Sequence, residues 1–207
     1  SGGVWTTSNA AVATVNTITG NVTGVTAGTA TITYTYTNSN GCTSAVSTTV
    51  TINALPVVAA ITGTTSVCEG ATTTLASTTT GGVWSTANTA TATINSTTGV
   101  VTGVAAGTTT MTYTVTNANG CTSSVSTALV VNAIPQVAAI SGTTEVCVGL
   151  TTALANATAS GVWTSSNTAV ATIDASGVVT GVAAGSTTIT YTVTTNGCTA
   201  NAQAVVM

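Results

Sequence analysis

The chain has 207 residues and a net charge of -3, with three acidic residues and no Lys, Arg or His. Without cations it cannot neutralise nucleic-acid phosphates or attract anionic membrane surfaces, so neither partner is predicted. The usual general bases and amine nucleophiles are absent, and Glu69, Glu145 and Asp174 fall at different phases of the sequence. The composition therefore predicts that the chain is not an enzyme.

Metal and cofactor sites are not predicted either. Asp174 stands alone, whereas a calcium loop gathers several acidic oxygens. The cysteines form no C-x-x-C pair, and no His is present to complete a zinc site. The apolar runs, such as residues 54–61, are too short to span a bilayer, so no membrane insertion is expected. No signal peptide precedes Ser1, and we expect the chain to be a window on a longer secreted polypeptide.

One stretch occurs three times and sets the organisation of the chain. Trp5, Trp84 and Trp163 are spaced 79 residues apart, as are Pro56 and Pro135. This period predicts tandem domains of about 79 residues. The repeated stretch reads TGVTAGTATITYTYTNSNGC at residues 23–42, TGVAAGTTTMTYTVTNANGC at 102–121 and TGVAAGSTTITYTVTTNGC at 180–198. The predicted domains are a partial repeat 1 at residues 1–53, whose first strands are absent, repeat 2 at 54–132 and repeat 3 at 133–207.

The complete repeat 2 is a succession of short alternating runs rich in Thr, Val, Ile and Tyr. Such runs, separated by Gly and Asn, are typical of an all-β sandwich. Residues 95–99 are predicted to form a tight hairpin in which Gly99 takes a positive φ. Met111, Tyr113 and Val115 alternate with Thr, which indicates a strand buried on one face. The predicted strands cover about residues 57–61, 72–76, 82–85, 91–94, 100–104, 108–116 and 124–131.

Each repeat joins the next through a segment that holds a single proline, Pro56 or Pro135. A proline at this place favours a short, stiff connection over a flexible tether. We therefore expect the domains to be strung end to end.

The aromatic residues are predicted to be core residues. Tryptophan at the third strand commonly lies between the sheets of such a sandwich, although a sugar-stacking platform is the alternative. The equivalent tyrosines are expected to face the core, with the hydroxyl group bonded to the backbone. Tyr36, on the same face, is also expected to pack. The predicted core set is Trp5, Trp84, Trp163, Tyr34, Tyr113 and Tyr191.

The phrases built around these residues resemble a known family. GVWTSSNTAVATIDASGVVTGVAAGSTTITYTV at residues 161–193 and its two partners resemble bacterial immunoglobulin-like domains of group 2. The VC-x-G beginning and the NANGC ending are similar to repeats in very large surface proteins of Bacteroidota. The resemblance implies an immunoglobulin-like fold and an extracellular, tandem-repeat role that is structural or adhesive. The chain departs from this family in its complete lack of Lys and Arg.

The cysteines are candidates for disulfides. Each complete repeat has one near its start, Cys68 or Cys147, and one near its end, Cys121 or Cys198, while Cys42 is expected to be unpaired. Pairing within each repeat would close loops of about fifty residues, worth about 4 kcal/mol each. In the immunoglobulin topology, however, the two loops lie at opposite ends of the sandwich. We predict that Cys68 pairs with Cys121 and Cys147 with Cys198, which requires that the first segment cross the sandwich; the alternative is that the partners come from adjacent domains.

Two functions fit this sequence. The first is a structural stalk or fibre segment of a secreted, cell-surface bacterial adhesin or extracellular filament. The second is an adhesion module that binds a host or surface glycan, or a protein, through its end loops at residues 37–41, 117–120 and 196–197. Those loops offer amides and small residues without the aromatic or charged anchors that dominate binding sites, so the stalk is favoured.

The expected partners are other repeats of the same kind. Neighbouring repeats of the same chain are the first candidates. The strand edges also lack the Lys and Pro that discourage pairing, and the low charge gives little repulsion between copies. Because Ser1 aligns with Thr80, repeat 1 is expected to have an incomplete sheet. Either upstream residues of a longer chain or strands of another copy would complete it.

Overall fold

The structure is a computed structural model that describes residues 2–207. Ser1, where the predicted repeat 1 starts, lies outside the described residues. Residues 2–207 form strands and turns and contain no helix, so none of their segments is a helix able to cross a membrane. The described fold is therefore all-β, as predicted.

The strands fall into three consecutive sets that follow the repeats. Repeat 1 contains β1 (Val4–Thr7), β2 (Ala13–Val15), β3 (Val22–Gly24), β4 (Gly28–Thr37) and β5 (Thr43–Ile52). Repeat 2 contains β6 (Thr62–Gly63), β7 (Ser66–Cys68), β8 (Thr72–Ala76), β9 (Val83–Thr86), β10 (Ala92–Ile94), β11 (Val100–Gly103), β12 (Gly107–Thr116) and β13 (Thr122–Asn132). Repeat 3 contains β14 (Ser141–Gly142), β15 (Thr151–Ala155), β16 (Val162–Ser165), β17 (Ala171–Ile173), β18 (Val178–Gly181), β19 (Thr187–Thr195) and β20 (Cys198–Val206).

The chain divides into two compact units that do not follow the predicted domain limits. The division falls inside β12 and β13, so the limits after residues 53 and 132 stay predictions. Unit 1 comprises Ser1–Ile61, Ser77–Val83 and Thr112–Ser126, and unit 2 comprises Thr62–Ala76, Trp84–Met111 and Thr127–Met207.

Unit 1 contains a three-stranded antiparallel sheet in the order β1-β4-β5 and a two-stranded sheet of β2 and β3. The buried side chains include Ala13 from the smaller sheet and Ala30 and Ile32 from β4. Alternate residues of β4 are buried because successive side chains of a strand point to opposite faces.

Unit 2 contains a complete sandwich formed by repeat 3. One sheet has the order β14-β15-β18-β17 and the other the order β16-β19-β20. Side chains from both sheets meet in one cluster, which is the pattern expected of two sheets packed face to face. The buried members of this cluster are Leu154, Ala171, Val179, Ile189 and Val206.

Repeat 2 also has two sheets, and one of them contains a parallel strand pair. Its sheets have the orders β10-β11-β8-β6 and β7-β13-β12-β9. The short strand β7 pairs in parallel with the end of β13, so that Cys68 lies opposite Asn132. This parallel pairing was not predicted.

Most predicted strands of repeat 2 occur in the structure within two residues. The strand predicted at residues 72–76 is β8, and the predicted hairpin contains Gly99 with φ of 72°. In β12 the side chains of Met111, Tyr113 and Val115 are buried. The strand predicted at residues 57–61 is wrong, because this segment after Pro56 joins no sheet and the pairing starts at β6.

Candidate functional site: the disulfide-linked repeat junction

The three carboxylates do not form a joint site. Within residues 2–207 no group of three or more Cys, Asp or Glu residues could hold a metal ion. An oxygen of Glu69 accepts a hydrogen bond of 2.8 Å from the backbone N-H of Ala106. The Asp174 carboxylate accepts bonds from the hydroxyl group of Ser176 and the N-H of Val178, and these bonds lower its pKa. Both carboxylates thus support the backbone around them.

The chemically distinctive feature is a disulfide between Cys68 and Cys198. Their Cα atoms are 5.7 Å apart, within the usual range. β7 places Cys68 beside Asn132, the last residue of β13. The Asn132 side-chain amide donates a bond of 3.1 Å to the carbonyl oxygen of Asn196, two residues before Cys198. The start of repeat 2 is therefore bonded covalently to the start of β20, the last strand of repeat 3.

This bond overturns the within-repeat pairing of Cys68 with Cys121 and of Cys147 with Cys198. Cys198 is the first residue of β20, whereas the N-H of Val146 bonds to the carbonyl oxygen of Met207, just beyond its end. A strand of this length spans about 30 Å, far more than a disulfide can bridge.

Repeat 2 has the same topology, because Cys121 precedes β13 and Cys68 pairs with its last residue. The geometric objection was thus correct, and the partner of Cys68 comes from the adjacent repeat 3. Cys42, Cys121 and Cys147 are free thiols.

The aromatic residues pack in pairs on the sheets. Trp163 lies against Tyr191 with ring centroids 4.6 Å apart, and Trp5 lies against Tyr34 at 4.8 Å. These Trp faces are therefore covered on one side by an aromatic ring, which does not favour a sugar-stacking platform. Trp84, Tyr113 and Tyr191 are buried, while Trp5, Trp163 and Tyr34 are half-buried.

The tyrosine hydroxyl groups join two backbone groups of the loop that precedes the Trp-bearing strand. Tyr191 accepts a hydrogen bond of 2.8 Å from the N-H of Gly161 and donates one of 2.7 Å to the carbonyl oxygen of Thr158. Tyr113 makes the same pair of bonds in repeat 2. Tyr36, which we expected to pack, is instead 43% exposed, whereas Val115 and Val193 at the same position of the other repeats are buried.

The amides of the end loops take part in local structure. The side-chain oxygen of Asn38 accepts bonds from the N-H groups of Asn40 and Cys42. Asn117 does the same in repeat 2, and its amide nitrogen also donates to the carbonyl oxygen of Ala54. These groups are therefore occupied, which weakens the case for ligand binding through the loops.

The sequence matches the family of bacterial Ig-like domains, group 2, over residues 2–50 and 133–203, more than half of the chain. The chain belongs to this family. The resemblance carried by the Trp-centred phrases is thereby confirmed, and the sandwich is an immunoglobulin-like one. This family indicates an extracellular domain with an adhesive or structural role, and such domains are typically not enzymes.

No curated protein matches the chain in sequence. Among solved structures, the surface layer protein SbsC, domains 1-6, is 23% identical over 98% of this chain and 28% of that chain, with a TM-score of 0.26. Protocadherin gamma B2 extracellular cadherin domains 3-6 are 11% identical over 99% of this chain and 66% of that chain, with a TM-score of 0.32. Mouse cadherin-23 EC22-24 is 12% identical over 99% of this chain and 85% of that chain, with a TM-score of 0.31. The chain spans 28% of the length of the surface layer protein.

Proposed function

We propose that this chain is a load-bearing segment of a stalk or fibre on a bacterial cell surface. The observation that carries this proposal is the disulfide between Cys68 and Cys198, which joins two consecutive repeats. Domains joined only by a linker usually move relative to one another. A covalent bond between repeats restricts that motion, which serves a stalk better than an independent binding module.

The disulfide also limits how far the chain can be stretched. A pulling force on the two termini cannot stretch the segment between Cys68 and Cys198 while the bond holds. These two residues are 130 positions apart in the sequence. That stretch of chain would otherwise lengthen by about 450 Å. Extracellular conditions favour such bonds, in agreement with the adhesive or structural role of the family.

Single-molecule pulling on the whole chain tests this proposal. We expect the extended length of the oxidised chain to be shorter by about 450 Å than that of the Cys68→Ser variant. The Cys42→Ser variant is the matched control and should behave like the original chain, because Cys42 is a free thiol. Extension of the oxidised chain to the length of the Cys68→Ser variant would contradict the proposal.

A glycan array with the whole chain separates the stalk from the adhesion module. We expect no reproducible binding to any sugar class, because the loop amides of Asn38 and Asn117 are bonded within the protein. Binding to one sugar class that is lost in the Asn117→Ala variant would favour the adhesion module instead.

A further inference from the structure

The two sulfur atoms of the disulfide between Cys68 and Cys198 differ in their access to solvent. Cys198, the first residue of β20, is only 1% exposed. Cys68 is half-buried at the end of the three-residue strand β7, and Gly70, two positions later, is exposed. A molecule in solution can therefore reach the bond from the side of Cys68 but not from the side of Cys198.

This difference in access determines how the bond can be opened. A thiolate breaks a disulfide by attacking one sulfur atom in line with the bond, and the other sulfur atom leaves. Attack at Cys198 would need a path through the interior of repeat 3, because that residue is buried. Attack at Cys68 needs no such path. The accessible reaction therefore joins the attacking thiol to Cys68 and releases Cys198.

The surroundings of Cys198 suit a neutral thiol. The carbonyl oxygen of Asn132 lies 3.8 Å from its sulfur atom and can accept a weak hydrogen bond from an S-H group. The chain contains no Lys, Arg or His that could stabilise a buried thiolate. The released sulfur atom therefore takes up the proton that the attacking thiol loses.

Asn132 also keeps the two cysteines next to each other when the bond is open. Its carbonyl oxygen accepts a hydrogen bond of 3.0 Å from the N-H of Glu69, the neighbour of Cys68. Its side-chain amide donates a bond of 3.1 Å to the carbonyl oxygen of Asn196, two residues before Cys198. Neither bond involves a sulfur atom, so both persist after reduction and the disulfide can form again.

We propose that the disulfide between Cys68 and Cys198 is a reversible switch that low-molecular-weight thiols open by attack at Cys68. The small thiol becomes bound to Cys68 as a mixed disulfide, so one S–S bond replaces another, and Cys198 becomes a buried thiol beside Asn132. In the reverse step the sulfur atom of Cys198 attacks that of Cys68, and the small thiol leaves with the electron pair and takes up the proton. Neither direction needs any co-reactant besides this thiol.

The switch sets the length of a chain under load. While the bond is closed, the segment between Cys68 and Cys198 cannot be stretched, and once it is open this segment becomes extensible. This consequence rests on the proposed stalk function, whereas the attack at Cys68 does not. A thiol-rich environment thus gives an extensible chain, and an oxidising environment gives a short one.

Brief exposure of the oxidised whole chain to reduced glutathione tests where the attack occurs. The free thiols Cys42, Cys121 and Cys147 are first blocked with iodoacetamide. Acid then stops the exchange because it removes thiolates, and pepsin digestion with mass spectrometry locates the bound glutathione. We expect about tenfold more glutathione on Cys68 than on Cys198, because access controls the rate of attack. Equal amounts on the two residues, or more on Cys198, would overturn the proposal.

Two matched variants test the difference in access by an independent route. Cys198→Ser leaves Cys68 as a thiol, and Cys68→Ser leaves Cys198, so both variants lose the same disulfide. With the other thiols blocked, we expect Cys68 to react with oxidised glutathione about tenfold faster than Cys198 in the folded chain. Equal rates in variants that circular dichroism shows to be folded would contradict the switch.

Removal of free glutathione tests the reverse step. The capped chain should release its glutathione and regain the disulfide without an added oxidant. Asn132→Ala should slow this closure about fivefold, because it removes the bond to Asn196. Asn201→Ala, at an exposed position of β20, is the control and should not slow it. Glutathione that stays on Cys68 of the original chain would show that the switch is not reversible.

These experiments apply no force, so their outcome is independent of the pulling experiment. Attack at Cys198 would overturn the switch and leave the stalk function untouched. Extension of the oxidised chain to the length of the Cys68→Ser variant would overturn the stalk function and leave the exchange at Cys68 untouched.

Discussion

Asp174 and its counterparts Asn16 and Asn95 show how one side-chain oxygen closes each hairpin turn. Asn16 accepts bonds of 3.0 and 2.9 Å from the N-H groups two and three residues later, and Asn95 does the same. Asp174 accepts bonds from Ser176 and Val178. The turn therefore requires an acceptor at this position and not a charge.

The lowered pKa of Asp174 predicts a pH-dependent stability. Its hydrogen bonds, first that from the Ser176 hydroxyl group, hold the pKa below the ordinary value of 3.8. Above that value the bonds contribute fully to stability, and their contribution is lost as the pH falls through the lowered pKa. Asp174→Asn should remove this dependence and keep the turn, as Asn16 and Asn95 do.

Denaturant unfolding between about pH 2 and pH 6 measures the effect of Asp174. The original chain should lose more stability than the Asp174→Asn variant over the acidic part of this range. Glu145→Gln is a control that changes the same formal charge elsewhere. An identical pH dependence for the original chain and the Asp174→Asn variant would refute the assignment.

Tyr191→Phe is expected to destabilise repeat 3 by about 1–3 kcal/mol. The substitution removes the hydroxyl group that joins Gly161 to Thr158 and leaves both backbone groups without this partner. Tyr36→Phe, at an exposed position, should change the free energy of unfolding by less than about 0.5 kcal/mol. Urea unfolding measures both, and effects of equal size would show that the bridge contributes nothing.

At the scale of elements, β7 determines which cysteines meet. It pairs in parallel with the end of β13, which brings Cys68 to the end of repeat 2 where the last loop of repeat 3 lies. A strand that paired with β13 as an antiparallel hairpin could not do this, because the two strands of a hairpin are neighbours in the sequence. The short strand thus converts two cysteines that are 130 residues apart in sequence into a bonded pair.

Cys68→Ser is expected to lower the free energy of unfolding by up to about 5 kcal/mol. The reason is that the disulfide joins residues 130 positions apart and so closes a long loop in the unfolded chain. Thermal unfolding under oxidising conditions measures the loss. Cys42→Ser should have almost no effect, since that thiol is free and exposed. Peptide mapping without reduction should find Cys68 joined to Cys198, and a Cys68–Cys121 peptide would contradict the structure.

For the whole molecule, the absence of Lys and Arg predicts resistance to trypsin-like proteases, which cleave after these residues. The chain should remain intact even after reduction and unfolding, because no cleavage site is created. Elastase-like enzymes accept Ala and Val and therefore test the fold itself. Gel analysis over several hours should show slow elastase cleavage of the oxidised chain and faster cleavage after reduction. Rapid cleavage at many positions of the oxidised chain would argue against compact units.

The sequence alone was enough to predict the fold class and most strands. The alternation of Met111, Tyr113 and Val115 with Thr indicates a strand because side chains of a strand point to opposite faces, and Gly99 marks a turn because it tolerates positive φ. These are local properties of the backbone, so a single sequence carries them. The repeated Trp-centred phrases were likewise enough to predict the family, because they can be read from the sequence alone.

The partner of each cysteine was decided only by the tertiary structure. The Val-Cys-x-Gly pattern was visible at residues 67–70, but three residues give no signal of the parallel strand that they form with β13. Its pairing depends on a surface assembled from residues more than sixty positions away, and the same surface directs Cys68 towards Cys198 and away from Cys121. Local periodicity determines which residues form strands, whereas disulfide connectivity follows from the distances between them after the sheets have packed.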